Sequence, residues 1–139
     1  MRLSVPAASN VSIPPLLDDA PLLIGTYRFQ SRLFLGTGKY STYPIMRDAL
    51  AASGSECVTV AVRRIPENEE PGARFLDFFD RTRHALLPNT AGCYDADAAI
   101  RTARLARELL DTDLIKVEVL GDQKTLLPDP VDTLRATEI

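Results

Sequence analysis

In the run LIKVEVLGD, residues 114–122, an amine and a carboxylate stand two positions apart, at Lys116 and Glu118. Strand alternation puts Leu114, Lys116, Glu118 and Leu120 on one face and Ile115, Val117 and Val119 on the other. The branched apolar face suits packing against helices, so Lys116 and Glu118 are expected to point inward, away from them. Burial there disfavours the ammonium and lowers the amine's pKa. A neutral amine attacks a ketone or aldehyde to form a Schiff base. The alternative is an internal ion pair between the two, although such pairs are seldom kept for stability. Glu118 acts in opposed directions. Its charge favours the ammonium, whereas a partly protonated carboxyl beside an imine can shuttle protons.

Fewer chemical readings attach to the remaining candidates. His84, the only histidine, opens an earlier apolar run at the end opposite the proposed site and reads as structural. Cys93 follows the NTAG loop with no histidine at the same rim, which makes it a bystander rather than a nucleophile. Arg63 and Arg64 suit a phosphate or carboxylate, or are merely solvated. Asn89 and Thr90 either donate hydrogen bonds to substrate or tie down their own loop.

The elements that must position these groups recur along the chain. Strand-like runs start at Arg32, Cys57, His84 and Leu114, spaced 25, 27 and 30 residues apart, the period of a strand, a helix and two loops. STYPIMRDALAASG reads as a helix with Ile45, Met46, Ala49 and Leu50 on one face and Gly54 as its stop. ARFLDFFDRT reads as a shorter helix carrying Phe75, Leu76 and Phe79. YDADAAIRTARLARELL has Asp95 as N-cap and a buried stripe of Ala99, Ala103, Ala106 and Leu110. DPVDTLRATEI opens a last helix with Asp129 as N-cap and Pro130 at the first position. Upstream, LLIGTYRFQ is expected to form a two-strand flap around Gly25-Thr26.

Alternating strands and helices imply parallel strands with right-handed crossovers. GTGKY lacks the full dinucleotide-binding glycine spacing, which disfavours an open doubly wound sheet. Polar residues instead follow each strand: Thr37 and Lys39, Arg63 and Arg64, Asn89 and Thr90, then Asp122. Barrel enzymes keep their sites at that rim, and a (β/α)₈ barrel usually needs about 250 residues. The expected fold is therefore α/β, of (β/α)₈ TIM-barrel type, with only the first four β/α units present. Residues 1–21 read as a flexible leader and 22–139 as the N-terminal half of the barrel domain.

The 139-residue chain is 45% hydrophobic and 25% charged, with a net charge of −3, an ordinary globular balance. Its scattered Lys and Arg give no footprint for nucleic acid, and no apolar run approaches the roughly 18 residues of a membrane span. Cys57 and Cys93 have neither disulfide-framework nor metal-ligand spacing, so reduced thiols in the cytoplasm are expected.

Four strings, FQSRLFLGTGKY, VTVAVRR, LLPNTAGCYDADAAIRTARLARE and IKVEVLGDQKTLLPDP, closely resemble bacterial thiazole synthase. The likeness runs from about Leu22 to Ile139, in order and with compatible spacing. It implies a (β/α)₈ barrel that condenses 1-deoxy-D-xylulose 5-phosphate with dehydroglycine (2-iminoacetate), taking sulfur from the C-terminal thiocarboxylate of a sulfur-carrier protein. The product is the thiazole phosphate of thiamine. The resemblance further implies that Lys116 is the Schiff-base lysine, that Glu118 is its catalytic companion, and that the complete enzyme is a homo-oligomer. That scheme requires no metal or redox cofactor of this protein. The family carries four further strands with phosphate-binding glycine loops and another acidic residue, so the chain as given is expected to be truncated and inactive alone. A class I Schiff-base aldolase-like barrel and a non-catalytic half-barrel binding partner are the competing readings.

Overall fold

A computed structural model describes residues 20–66 and 68–139. Most of the expected leader, residues 1–19, lies outside the described residues. The first described elements are the strands β1 (Leu22–Ile24) and β2 (Tyr27–Phe29), which pair antiparallel as the expected flap. Gly25 turns the chain at φ 58°, a left-handed conformation that glycine adopts without steric cost. Phe29 is buried and meets Phe34 edge-on, with ring centroids 5.4 Å apart.

Three parallel strands follow in spatial order β3 (Phe34–Gly36), β4 (Cys57–Ala61) and β5 (Ala85–Asn89). Helix α1 (Tyr43–Ser53) joins β3 to β4. Thr42 caps it by accepting from the Ile45 amide, and Gly54 ends it at φ 66°. Met46 and Leu50 turn inward, whereas Ile45 is exposed, so the buried stripe is narrower than expected. Helix α2 (Ala96–Leu110) follows β5, with Asp95 accepting from the Ala98 amide at 2.7 Å. Its Ala99, Ala106 and Leu110 are buried, as the spacing predicts.

One face of the sheet carries the core. Val58, Val60 and Leu86 pack there against Met46 and Leu50 of α1, Ala106 and Leu110 of α2, and Phe75 and Phe79. Full burial of a side chain such as Leu50 or Leu86 stabilises by ~1.5–3 kcal/mol. Pro88, also fully buried, sits in this layer opposite Val60.

Two expected elements differ. ARFLDFFDRT does not form an α-helix; only Phe75–Phe78 make a single 3₁₀ turn. The Asp77 carboxylate accepts from the Gly72 and Arg74 amides, tightening the entry to that turn. Phe79 leaves it in extended backbone to stack edge-on with Phe75. The spacing of the phenylalanines reflects an aromatic cluster with Tyr43, not a helical stripe.

The fourth strand is the second correction. Residues 114–120 lie beside β5, but only Lys116 makes a ladder bridge, to Asn89 in parallel sense. Leu120 bridges Pro128 as the chain folds back. Helix α3 (Pro130–Glu138) then begins, with Asp129 accepting from the amides of Val131 and Asp132, both at 3.0 Å. The sheet is open: among the described residues no strand pairs with the other edge of 114–117, and no barrel closes.

Candidate functional site

The segment bearing Lys116 keeps the expected facing. Ile115 packs on the main core, Val117 lines a recess with Ile100 and Ala103 of α2, and Val119 is buried with Cys93 and Ala99. Lys116 and Glu118 therefore project from the face turned away from α2. Gly36, Thr59, Leu87, Ala61 and Asn89 occupy the same face through successive cross-strand pairs.

Lys116 is held by backbone on both sides. Its N–H donates to the Pro88 carbonyl at 2.8 Å, and its carbonyl accepts from Thr90 N–H at 3.2 Å. Thr90 is fully buried, and its hydroxyl accepts from Glu118 N–H at 2.8 Å while donating to Glu118 C=O at 2.7 Å. The next amide, Val119 N–H, donates to the Thr133 hydroxyl of α3 at 3.2 Å. The Asp129 N–H donates to Val119 C=O at 2.8 Å.

The expected burial of the amine is not present. Lys116 is exposed and Glu118 half-buried, because none of the described residues covers that face of the sheet beyond β5. Nor do the two form an ion pair. The salt bridges among the described residues are Arg47–Asp48, Arg107–Glu108 and Arg135–Asp97, all on the surface.

At the C-terminal ends of the strands lies a cavity of about 370 Å³, lined by Thr37, Lys39, Thr59, Arg64 and Asn89 among others. Lys116 is not part of its lining, although Asn89, its bridge partner, is. Lys39 sits there at φ 69°, a left-handed conformation seldom adopted by residues other than glycine, Asn or Asp. Two cations and an amide facing one recess suit an oxyanion such as a phosphate. Thr59 is a site residue that the sequence reading misses; a threonine between Val58 and Val60 is the sign within β4 that this face is polar.

Several rim residues serve the loops. The Arg63 guanidinium donates to the Gly92 carbonyl. Asn89 Oδ1 accepts from Ala91 N–H at 3.2 Å, which leaves its NH₂ side for other partners. Asp122 accepts from the Lys124 and Thr125 amides and the Thr125 hydroxyl, and these bonds hold its carboxyl below the usual carboxylate range. Cys93 is buried with its sulfur 3.4 Å from the Thr102 hydroxyl. Burial pushes the Cys57 thiol up to about 11, so it stays protonated at neutral pH.

His84 lines a different cavity, of about 550 Å³, at the opposite end of the strands with Tyr27, Ser55 and Thr112. It is buried, its Nδ1 has no partner among the described residues, and burial holds its pKa below the ordinary histidine value. Among the described residues no cluster of three or more His, Cys, Asp or Glu side chains could hold a metal ion. No described helix is long and apolar enough to cross a membrane.

Comparison with known proteins bears on this geometry. The family described as "Thiazole biosynthesis protein ThiG" matches residues 23–139. A thiazole synthase of Rhodopirellula baltica is 57% identical over 128 residues, covering 88% of this chain and 45% of that protein. A thiazole synthase of Geobacillus sp. is 54% identical over 118 residues, covering 85% and 46%. Among solved structures, the Amycolatopsis orientalis BexX/CysO complex contains a similar chain, with a TM-score of 0.65 and 30% identity, over 85% of this chain and 48% of that one. The chain spans about half the length of the curated relatives it matches. With its matched span taking in β1 through α3 and the Lys116–Glu118 segment, the chain belongs to the ThiG family of thiazole biosynthesis proteins.

Proposed function

We propose that this chain is the N-terminal half of a thiazole synthase barrel, its first four β/α units, with Lys116 as the Schiff-base nucleophile and Glu118 as a proton-transfer partner. The carrying observation is the placement of Lys116. The family's span includes it, and it projects from the sheet face opposite the helices, beside Asn89 at the carboxyl end of β5. The sheet's open edge and the doubled length of the relatives support further strands that complete the barrel and dehydrate that face.

In the complete enzyme the uncharged Lys116 amine attacks the ketone of 1-deoxy-D-xylulose 5-phosphate, and water leaves as the imine forms. The imine acidifies the proton on the adjoining carbon. Glu118 accepts it and returns a proton elsewhere as the carbonyl migrates one carbon along the sugar. The thiocarboxylate sulfur of a carrier protein adds to the migrated carbonyl, and the carrier's acyl group passes from that sulfur to the resulting oxygen. The carrier leaves as its carboxylate when the carbon–oxygen bond breaks with loss of a neighbouring proton. Condensation with dehydroglycine (2-iminoacetate) and loss of water then close the ring. The proton transfers and dehydrations need no redox cofactor. A solved relative found as a BexX/CysO complex supports a protein partner for this fold. The complete enzyme acts in the cytoplasm as a homo-oligomer.

Borohydride reduction of the full-length protein with the deoxyketose phosphate tests this reading. The expected result is a stable adduct on the peptide containing Lys116. An adduct formed only with other aldehydes or ketones would indicate an aldolase-like barrel instead. No adduct with any carbonyl compound would leave a non-catalytic binding role.

A further inference from the structure

We propose that Thr90 is the positioning residue of the Lys116–Glu118 pair, an inference that rests on the Schiff-base reading above. In a regular parallel ladder the Thr90 carbonyl would receive Glu118 N–H. Here the chain turns away after β5, and that carbonyl instead accepts from Cys93 N–H at 3.1 Å, with Gly92 at φ 81° completing the turn. The Thr90 hydroxyl takes the vacated place. It accepts from Glu118 N–H at 2.8 Å and donates to Glu118 C=O at 2.7 Å, so a single oxygen satisfies both backbone groups of one residue.

Two consequences follow for the pair. Lys116 has a true ladder bridge to Asn89, and two residues later the hydroxyl keeps the chain extended where no ladder continues. The alternation that sends Lys116 and Glu118 from one face therefore depends on that contact. Thr90 is fully buried, so water does not substitute readily for the lost hydroxyl. Its hydroxyl bonds to backbone groups of Glu118, which makes it a positioning residue and not a catalytic one.

The variants Thr90→Val and Thr90→Ser of the full-length protein separate hydroxyl from volume. Valine keeps the branched shape without the hydroxyl, and serine keeps the hydroxyl. Amide exchange should show Glu118 losing protection in Thr90→Val, relative to Ala106 in α2, and regaining it in Thr90→Ser. Borohydride trapping with the deoxyketose phosphate should slow by about a hundredfold in Thr90→Val at saturating sugar, the scale expected when a reacting group is misplaced by an ångström. Thr90→Ser should restore it to within about threefold, with an unchanged pH profile. Unaltered Glu118 protection in Thr90→Val overturns the proposal, as does normal trapping despite lost protection. Equal impairment of both variants also overturns it, because shape alone would then matter. A wild-type protein that traps no sugar defeats the Schiff-base reading itself, a result distinct from each of these.

Discussion

Asn89 and Lys116 face each other across a single parallel bridge, the only ladder contact between β5 and the segment that carries the amine. Adjacent strands lie about 4.8 Å apart, which brings the Asn89 amide within reach of a group bound covalently at Lys116. The cavity that Asn89 lines with Lys39 and Arg64 continues from that bridge along the ends of β3 and β4.

Replacing Lys116 by methionine should change the stability of this chain by less than about 0.5 kcal/mol, because the side chain is exposed and unpaired among the described residues. Urea denaturation of the 139-residue chain measures this. The same substitution in the full-length protein should abolish the borohydride adduct.

Glu118→Gln should leave imine formation nearly intact while slowing the steps after it. Loss of a general acid–base group costs about 10²–10⁴ in rate. Single-turnover measurement on the full-length protein should show the reduced adduct at near-normal yield and product formation slowed on that scale. An equal fall in both would place Glu118 in the attack step instead.

Much of this arrangement was legible in the sequence because it is local. Asp95 before an alanine stripe, Asp129-Pro130 before a polar helix and Gly25-Thr26 between apolar residues each specify structure through their nearest neighbours. The Lys116 and Glu118 facing followed from alternation alone. What failed depended on distant partners. Phe75 and Phe78 pack on Tyr43, more than thirty residues away, and Phe79 meets Phe75 edge-on from extended backbone, not along a helix. The hydration of Lys116 depends on what faces it across the sheet, and the conversion of an expected strand to one bridge depends on a hydroxyl from Thr90.

Asp129→Ala should destabilise α3, since its carboxylate satisfies two orphan amides at the helix start. The cost of losing such a cap is about 0.5–2 kcal/mol. Urea midpoints compared with those of an exposed control such as Arg101→Ala would measure it.

His84 should make stability fall as the solution is acidified. Its folded pKa lies below the ordinary histidine value of about 6.5, chiefly through burial, with Arg83 acting in the same direction and Asp80 opposing. The unfolded chain therefore binds the proton more readily. Stability is fully present above about pH 6.5 and is lost as pH falls through the folded pKa. Asp80 and Asp122, whose carboxyls are held below their usual range by hydrogen bonds, extend the loss at more acid pH. Unfolding midpoints at pH 8 and pH 5.5 should differ in the wild-type chain and converge in His84→Gln.

The two threonine hydroxyls on consecutive amides, Thr90 at Glu118 and Thr133 at Val119, fasten the amine-bearing stretch to a strand on one flank and a helix on the other. Ala96 N–H reaches Asp132 Oδ2 at 3.0 Å, tying that helix in turn to the start of α2. The turns of α3 and the lysine stretch are thus linked through hydrogen bonds, so a lesion that frays α3 should also blur the aim of an amine some twenty residues upstream.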